Sequence, residues 1–188
     1  MAAKARKPPR QERLKFYAAL GEALVKWAYV EYCLQRALGK FVTGDPDSIP
    51  AASAYFAVIG FKARFDMVNH AARIRLSATD FKQFGKLMDW CSKLSKDRNR
   101  LAHYYVRDDR IANSDGYRFH SVPFFRDPNY YEYSSTGKPK KSQEYNVDDL
   151  KSFATACLDL GEVLFPYINT VKLERTRRPT DITRALPP

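Results

Sequence analysis

One short run in this chain combines residue types and spacing that could do chemistry: Arg98-Asn99-Arg100-Leu101-Ala102-His103. Arginine presents a planar, permanently charged fork that grips a phosphate through two hydrogen bonds. Histidine is the side chain best poised to move protons near neutral pH. On a helix, Asn99 and His103 share a face and can hydrogen-bond, whereas Arg98 and His103 flank that face from about 140° apart. One helix alone would not focus both on a small substrate, but a second copy brought by two-fold symmetry would. Arg100, Tyr104 and Arg107, beside this pair, are candidate substrate-binding residues.

Other constellations are weaker. His70, His103 and His120 fall on different predicted elements, which gives no metal-ligand spacing, and no metal or cofactor is expected. Gly137-Lys138 has Glu132 where a phosphate-cradling loop needs glycine, and there is no Gly-x-Ser-x-Gly run. His70 lies beside Met67 and Ala71 on an apolar pattern and reads as a packed or half-buried structural histidine. Glu31 sits between Trp27 and Leu34 on a buried stripe, where a carboxylate costs several kcal/mol unless paired. Arg64 and Arg98 are its candidate partners. With Arg98 it would orient the guanidinium from behind, and a structural ion pair is the simpler expectation.

These residues need helices to position them. Leu20, Leu24, Trp27, Leu34 and Leu38 recur at helical spacing and predict a first helix over 11–40. GDPDSIP is a loop, and Pro50 suits the first turn of a second helix carrying Phe56, Ile59, Ala63, Met67, Ala71 and Ile74 to about Leu76. A third helix starts at Thr79 or Asp80, with Gln83 placed to complete a capping box. Its stripe is Phe84, Leu87, Met88, Cys91, Leu94, Leu101 and Tyr105. Residues 106–145 are aromatic-rich and broken by turns, with a hairpin expected around Asp115-Gly116. Their aromatics (Tyr117, Phe119, Phe124, Phe125, Tyr130, Tyr131 and Tyr133) chiefly bury area, and stacking on unpaired bases is the second use open to them. Asn146 caps a last helix through Leu150, Phe153, Ala154, Cys157, Leu160, Leu164 and Tyr167, and Pro166 should bend or shorten its end. The expected fold is all-α: a helical bundle over 13–172 with one irregular or β-hairpin insertion, 106–145, between the third and fourth helices.

Charge supports the same centre of interest. The chain has 188 residues and a formal net charge of +11. Residues 1–15 hold six basic side chains against one acid, and residues 172–188 hold five against two. Most of the excess therefore lies in two Pro-containing tails, 1–12 and 173–188, expected to be disordered. Inside the body, 93–110 carries six basic residues against three acids, so the local surplus surrounds the Arg98–His103 run. No stretch approaches the ~20 apolar residues of a membrane span. MAAKARKPPR has no apolar core of a secretory signal, and the three distant cysteines suit a reducing cytoplasm.

Arg98-Asn99-Arg100-Leu101-Ala102-His103 resembles the Arg-x4–6-His motif of the HEPN superfamily, with the polar residue that often follows the arginine. It ends the third predicted helix and precedes a variable insertion and a last helix. WAYVEYCLQRAL, in the first helix, is also similar to the opening helix of bacterial members. The resemblance extends in pattern over 14–171 and in detail only over these two stretches. It implies a four-helix up-and-down bundle that forms a homodimer, with two copies of the motif lining a shared cleft. It also implies a metal-independent endoribonuclease of toxin or defence type that acts on RNA and is sometimes paired with a nucleotidyltransferase antitoxin. Arg98 would stabilise the scissile phosphate, His103 would be the general acid or base, and Asn99 would orient His103 or contact RNA. Other members keep the fold as non-catalytic modules binding RNA, nucleotide or a protein. The long 106–145 segment departs from the compact members.

Overall fold

A computed structural model describes residues 10–107, 119–123 and 143–174, with backbone alone at 103–107, 119–123, 143 and 144. The chain is mainly helical. Its elements are α1 (Arg10–Thr43), α2 (Ile49–Ala57), α3 (Phe61–Arg75), α4 (Ala78–His103), β1 (Tyr104–Arg107), β2 (Phe119–Pro123), β3 (Gln143–Tyr145) and α5 (Val147–Thr170). No described helix is long and apolar enough to cross a membrane.

Local sequence explains where the helices start and stop. α1 ends where Gly44, at φ +85°, turns back so that its N–H donates to the Lys40 carbonyl. Ser48 precedes α2 and its hydroxyl accepts from the Ala51 N–H, with Pro50 in the first turn. α4 starts one residue before the expected Thr79 or Asp80. Ser77 is its cap, accepting from the Asp80 N–H at 3.1 Å and donating to the Asp80 carboxylate at 2.7 Å, so Gln83 has no part in it. Asn146 is the cap expected of it, and Asp149 completes a reciprocal box, each side chain accepting the other's backbone N–H at 2.8 Å. Pro166 is exposed and α5 runs past it to Thr170, so it does not shorten the helix.

The expected second helix is two. α2 stops at Ala57, where Val58 turns extended at φ −78° and ψ 125°, and Gly60, at φ +88°, turns the chain into α3 at Phe61. The expected buried stripe fails with it. Phe56, Ile59 and Ile74 are exposed, and Tyr55, Val68, Ala72 and Leu76 are buried instead.

The chain divides into two compact units whose boundaries fall inside α1, α4 and α5: Met1–Tyr29 with Ser92–Asp159, and Val30–Cys91 with Leu160–Pro188. The first unit buries Phe16, Ala19, Ala23 and Trp27 of α1, Leu94 and Leu101 of α4, and Leu150, Phe153, Ala154 and Cys157 of α5. It also holds the strands, an antiparallel sheet in the order β1-β2-β3. Tyr105 pairs with Val122 and His120 with Glu144. Tyr105, expected to close the helical stripe, is thus a strand residue. The turn expected at Asp115-Gly116 and the aromatics other than Phe119, which is in β2, lie outside the described residues.

The second unit packs Cys33, Leu34, Leu38 and Phe41 of α1 with Tyr55, Val68, Phe84, Leu160, Leu164 and Ile168. Phe84 meets Phe41 edge-on at 5.2 Å and stacks on Tyr167 at 5.9 Å. Gly39 is required in this unit, since a Cβ there would stand 2.7 Å from the Asp45 carbonyl oxygen.

Candidate functional site

The final turns of α4, in the first unit, carry the residues singled out from sequence. α4 stays helical through His103, its last residue, so 100° per residue puts Arg98 and His103 about 140° apart around the axis. Arg98 points to the side that holds buried Leu94 and Leu101, which is why it is half-buried while Asn99 is exposed.

Arg98 and Asn99 are joined directly. The Arg98 Nη1 donates to the Asn99 Oδ1 at 3.1 Å. Among the described residues no carboxylate is within ion-pair distance of Arg98. Its remaining donors and the Asn99 amide NH2 have no hydrogen-bond partner among the described residues.

Arg100 is differently placed. Its Nη1 donates to the Asp97 Oδ1 at 3.0 Å, and the Tyr145 hydroxyl donates to the same oxygen at 3.5 Å. Burial pushes the Tyr145 phenol up, the Asp97 charge adds to that, and Arg100 acts against it. This knot ties α4 to the end of β3 at the point where the chain enters α5. Burial, reinforced by Asp97, also pushes the Cys157 thiol up to about 12, so Cys157 is a packed hydrophobe and no nucleophile. Of the residues expected to act together, Arg98, Asn99 and Arg100 share the end of α4. His103 closes the helix, and Tyr104 and Arg107 begin and end β1, with their side chains outside the described residues.

Glu31 belongs to the second unit, and its ion partner is Arg64, not Arg98: Arg64 Nη1 stands 3.7 Å from Glu31 Oε1. That distance is an ion contact too long for a hydrogen bond, and the Glu31 Oε1 is buried with no hydrogen-bond partner. Arg64 is fixed by its Nε donating to the Val58 carbonyl at 2.9 Å, with its guanidinium over the rings of Tyr55 and Phe56 at 5.3 and 5.6 Å. Burial first, then the Glu31 charge, raises the Tyr55 phenol, which is also buried without a hydrogen-bond partner.

Sequence reasoning missed two arrangements. One is the Asp97–Arg100–Tyr145 knot, whose only signal was an acid directly before the motif. The other is Arg36, whose side chain is 8% exposed. It pairs with Asp47, donates to Asn169 at 3.1 Å and lies 4.9 Å over the Phe165 ring. Nothing in the spacing of α1 distinguishes Arg36 from its apolar neighbours; partners far along the chain, the loop carboxylate of Asp47 and the Asn169 amide, make its burial tolerable.

Three comparisons with known proteins return no match to this chain: no family model, no curated protein and no solved structure.

Proposed function

We propose that the protein is a metal-independent endoribonuclease of HEPN type, of the toxin or defence-effector kind. In this reading it is a four-helix up-and-down bundle, α2 and α3 together taking the place of the second helix, with a β-hairpin insertion before α5. It works as a homodimer on RNA, and its cognate antitoxin, where one accompanies it, is of nucleotidyltransferase type. The observation that carries the reading is Arg98: a solvent-accessible guanidinium without a carboxylate partner among the described residues, hydrogen-bonded to Asn99, on the helix that ends at His103.

The chemistry follows from these groups. The ribose 2′-OH attacks the adjacent phosphate and forms a new O–P bond, while the bond to the 5′-oxygen of the next nucleotide breaks. The 2′-OH gives up its proton and the departing 5′-oxygen gains one, His103 serving as the general base or acid in this transfer, and Arg98 stabilises the charge that builds on the phosphoryl oxygens. The nucleophile belongs to the substrate, so no metal-activated water is needed. Because Arg98 and His103 diverge on one helix, each site combines residues of two protomers.

The test is cleavage of single-stranded RNA in excess EDTA, leaving a 2′,3′-cyclic phosphate and a 5′-hydroxyl. His103→Ala should slow cleavage by ~10²–10⁴-fold, Arg98→Ala should abolish it, and Asn99→Ala should be milder. A Mg²⁺ requirement, or activity that survives the Arg98/His103 double substitution, refutes the mechanism. A folded dimer that binds RNA and cleaves none is the non-catalytic module.

A further inference from the structure

We infer that the exposed face of α4 ending at His103 is a track for the phosphate backbone of a single RNA strand, with Lys93 and Lys96 as its positioning residues. The inference rests on the RNA reading above and adds a route by which substrate reaches the motif. From Lys93, helical geometry places Lys96, Arg100 and the His103 backbone position within a sector of about 80°, on the side away from Arg98. Lys93 and Lys96 are exposed, and neither has an ion partner among the described residues. Within the first unit, residues 92–103 hold four basic side chains against one acid, Asp97, whose charge is already spent on Arg100. The start of α5 in the same unit is acidic, with Asp148 and Asp149, and would repel the strand. The sequence of α4 keeps the three-and-four spacing backwards through Asp89 to Lys86 and Lys82.

Distance fits a nucleic-acid backbone. Ten residues of helix separate Lys93 from His103, about 15 Å at 1.5 Å per residue, room for two or three successive phosphates. Chemistry favours RNA over a protein here. Lysine is a point charge suited to phosphate but depleted from protein interfaces, and no large apolar side chain of α4 is exposed to anchor a partner. Contacts of this kind fix register without reading sequence.

The experiment measures equilibrium binding of a 12-nucleotide single-stranded RNA to the full chain carrying His103→Ala, so that cleavage cannot intrude, across a salt titration. Adding Lys93→Gln and Lys96→Gln should weaken binding by roughly ten- to a hundredfold at low salt and lower the slope of log affinity against log salt by roughly 1.4, equally for different sequences. Lys151→Gln, on α5 of the same unit, should change neither. Unchanged affinity and slope in the double variant, with the parent binding RNA, overturns the track and leaves the nuclease reading standing. Equal loss from Lys151→Gln also overturns it, by showing a diffuse charge effect. A double variant that keeps RNA affinity but loses affinity for poly-glutamate assigns the face to an acidic protein and overturns it too. A parent that binds no RNA overturns both readings.

Discussion

A charged side chain taken from water has to be matched, and Arg36, Arg64 and the more exposed Arg98 have different partners. Arg36 has Asp47, Asn169, the Tyr32 hydroxyl and two aromatic rings. Arg64 has Glu31 at ion-pair distance, two rings and a carbonyl. Arg98 has an amide oxygen alone among the described contacts. The first two are tied into the fold by several groups, whereas the third meets its chain neighbour. Glu31 and Arg64 are each about one-fifth exposed, so solvent screens part of their attraction. Glu31→Ala should then cost roughly 1–3 kcal/mol, chiefly by leaving Arg64 half-buried and unpaired. Urea unfolding of Glu31→Ala, Arg64→Ala and the double variant measures the coupling. Strict additivity would mean that the 3.7 Å contact contributes nothing.

The helices are delimited by local devices whose removal has a calculable effect. Asn146→Ala deletes one half of the reciprocal box at the start of α5 and should lower stability by ~1 kcal/mol. Asn146→Asp, which keeps the acceptor, should retain most of it. At Gly60, φ +88° is a conformation an L-residue resists, so Gly60→Ala should destabilise by ~1 kcal/mol or more, although a Cβ there meets nothing within 4 Å. Gly21→Ala is the contrast: the added Cβ also meets open space, but the backbone is helical, so stability should rise by roughly 0.5–1 kcal/mol. Denaturant midpoints check all three. If Gly60→Ala proved as stabilising as Gly21→Ala, the break between α2 and α3 would not depend on backbone conformation.

For the molecule as a whole, buried acids make stability pH-dependent at the alkaline end. Cys157 in the first unit and Tyr167 in the second are both pushed up to about 12 by burial, aided by Asp97 and Asp80 respectively, and Tyr55 is raised likewise. Each folded value lies above the unfolded one, so the stabilisation is complete below the unfolded values and is lost as pH rises through the folded ones. Unfolding free energy should therefore fall steadily from about pH 9 to 12, and Cys157→Ala should flatten the first part of that fall. A profile level across this range would contradict the burial of these groups. The first, third and last expected helices, the Asn146 cap and most of the buried faces of α4 and α5 were legible in the amino-acid sequence. Periodicity, capping and motif spacing are short-range properties, set within a few residues of one another. The break at Gly60 was masked because apolar Val58, Ile59 and Phe61 carried an unbroken pattern across it. The choice of Arg64 as partner of Glu31, the burial of Arg36 against Asp47 and Asn169, and the tie from Asp97 to Tyr145 were not legible. They join residues up to 133 positions apart, and only packing decides which of several available charges meet.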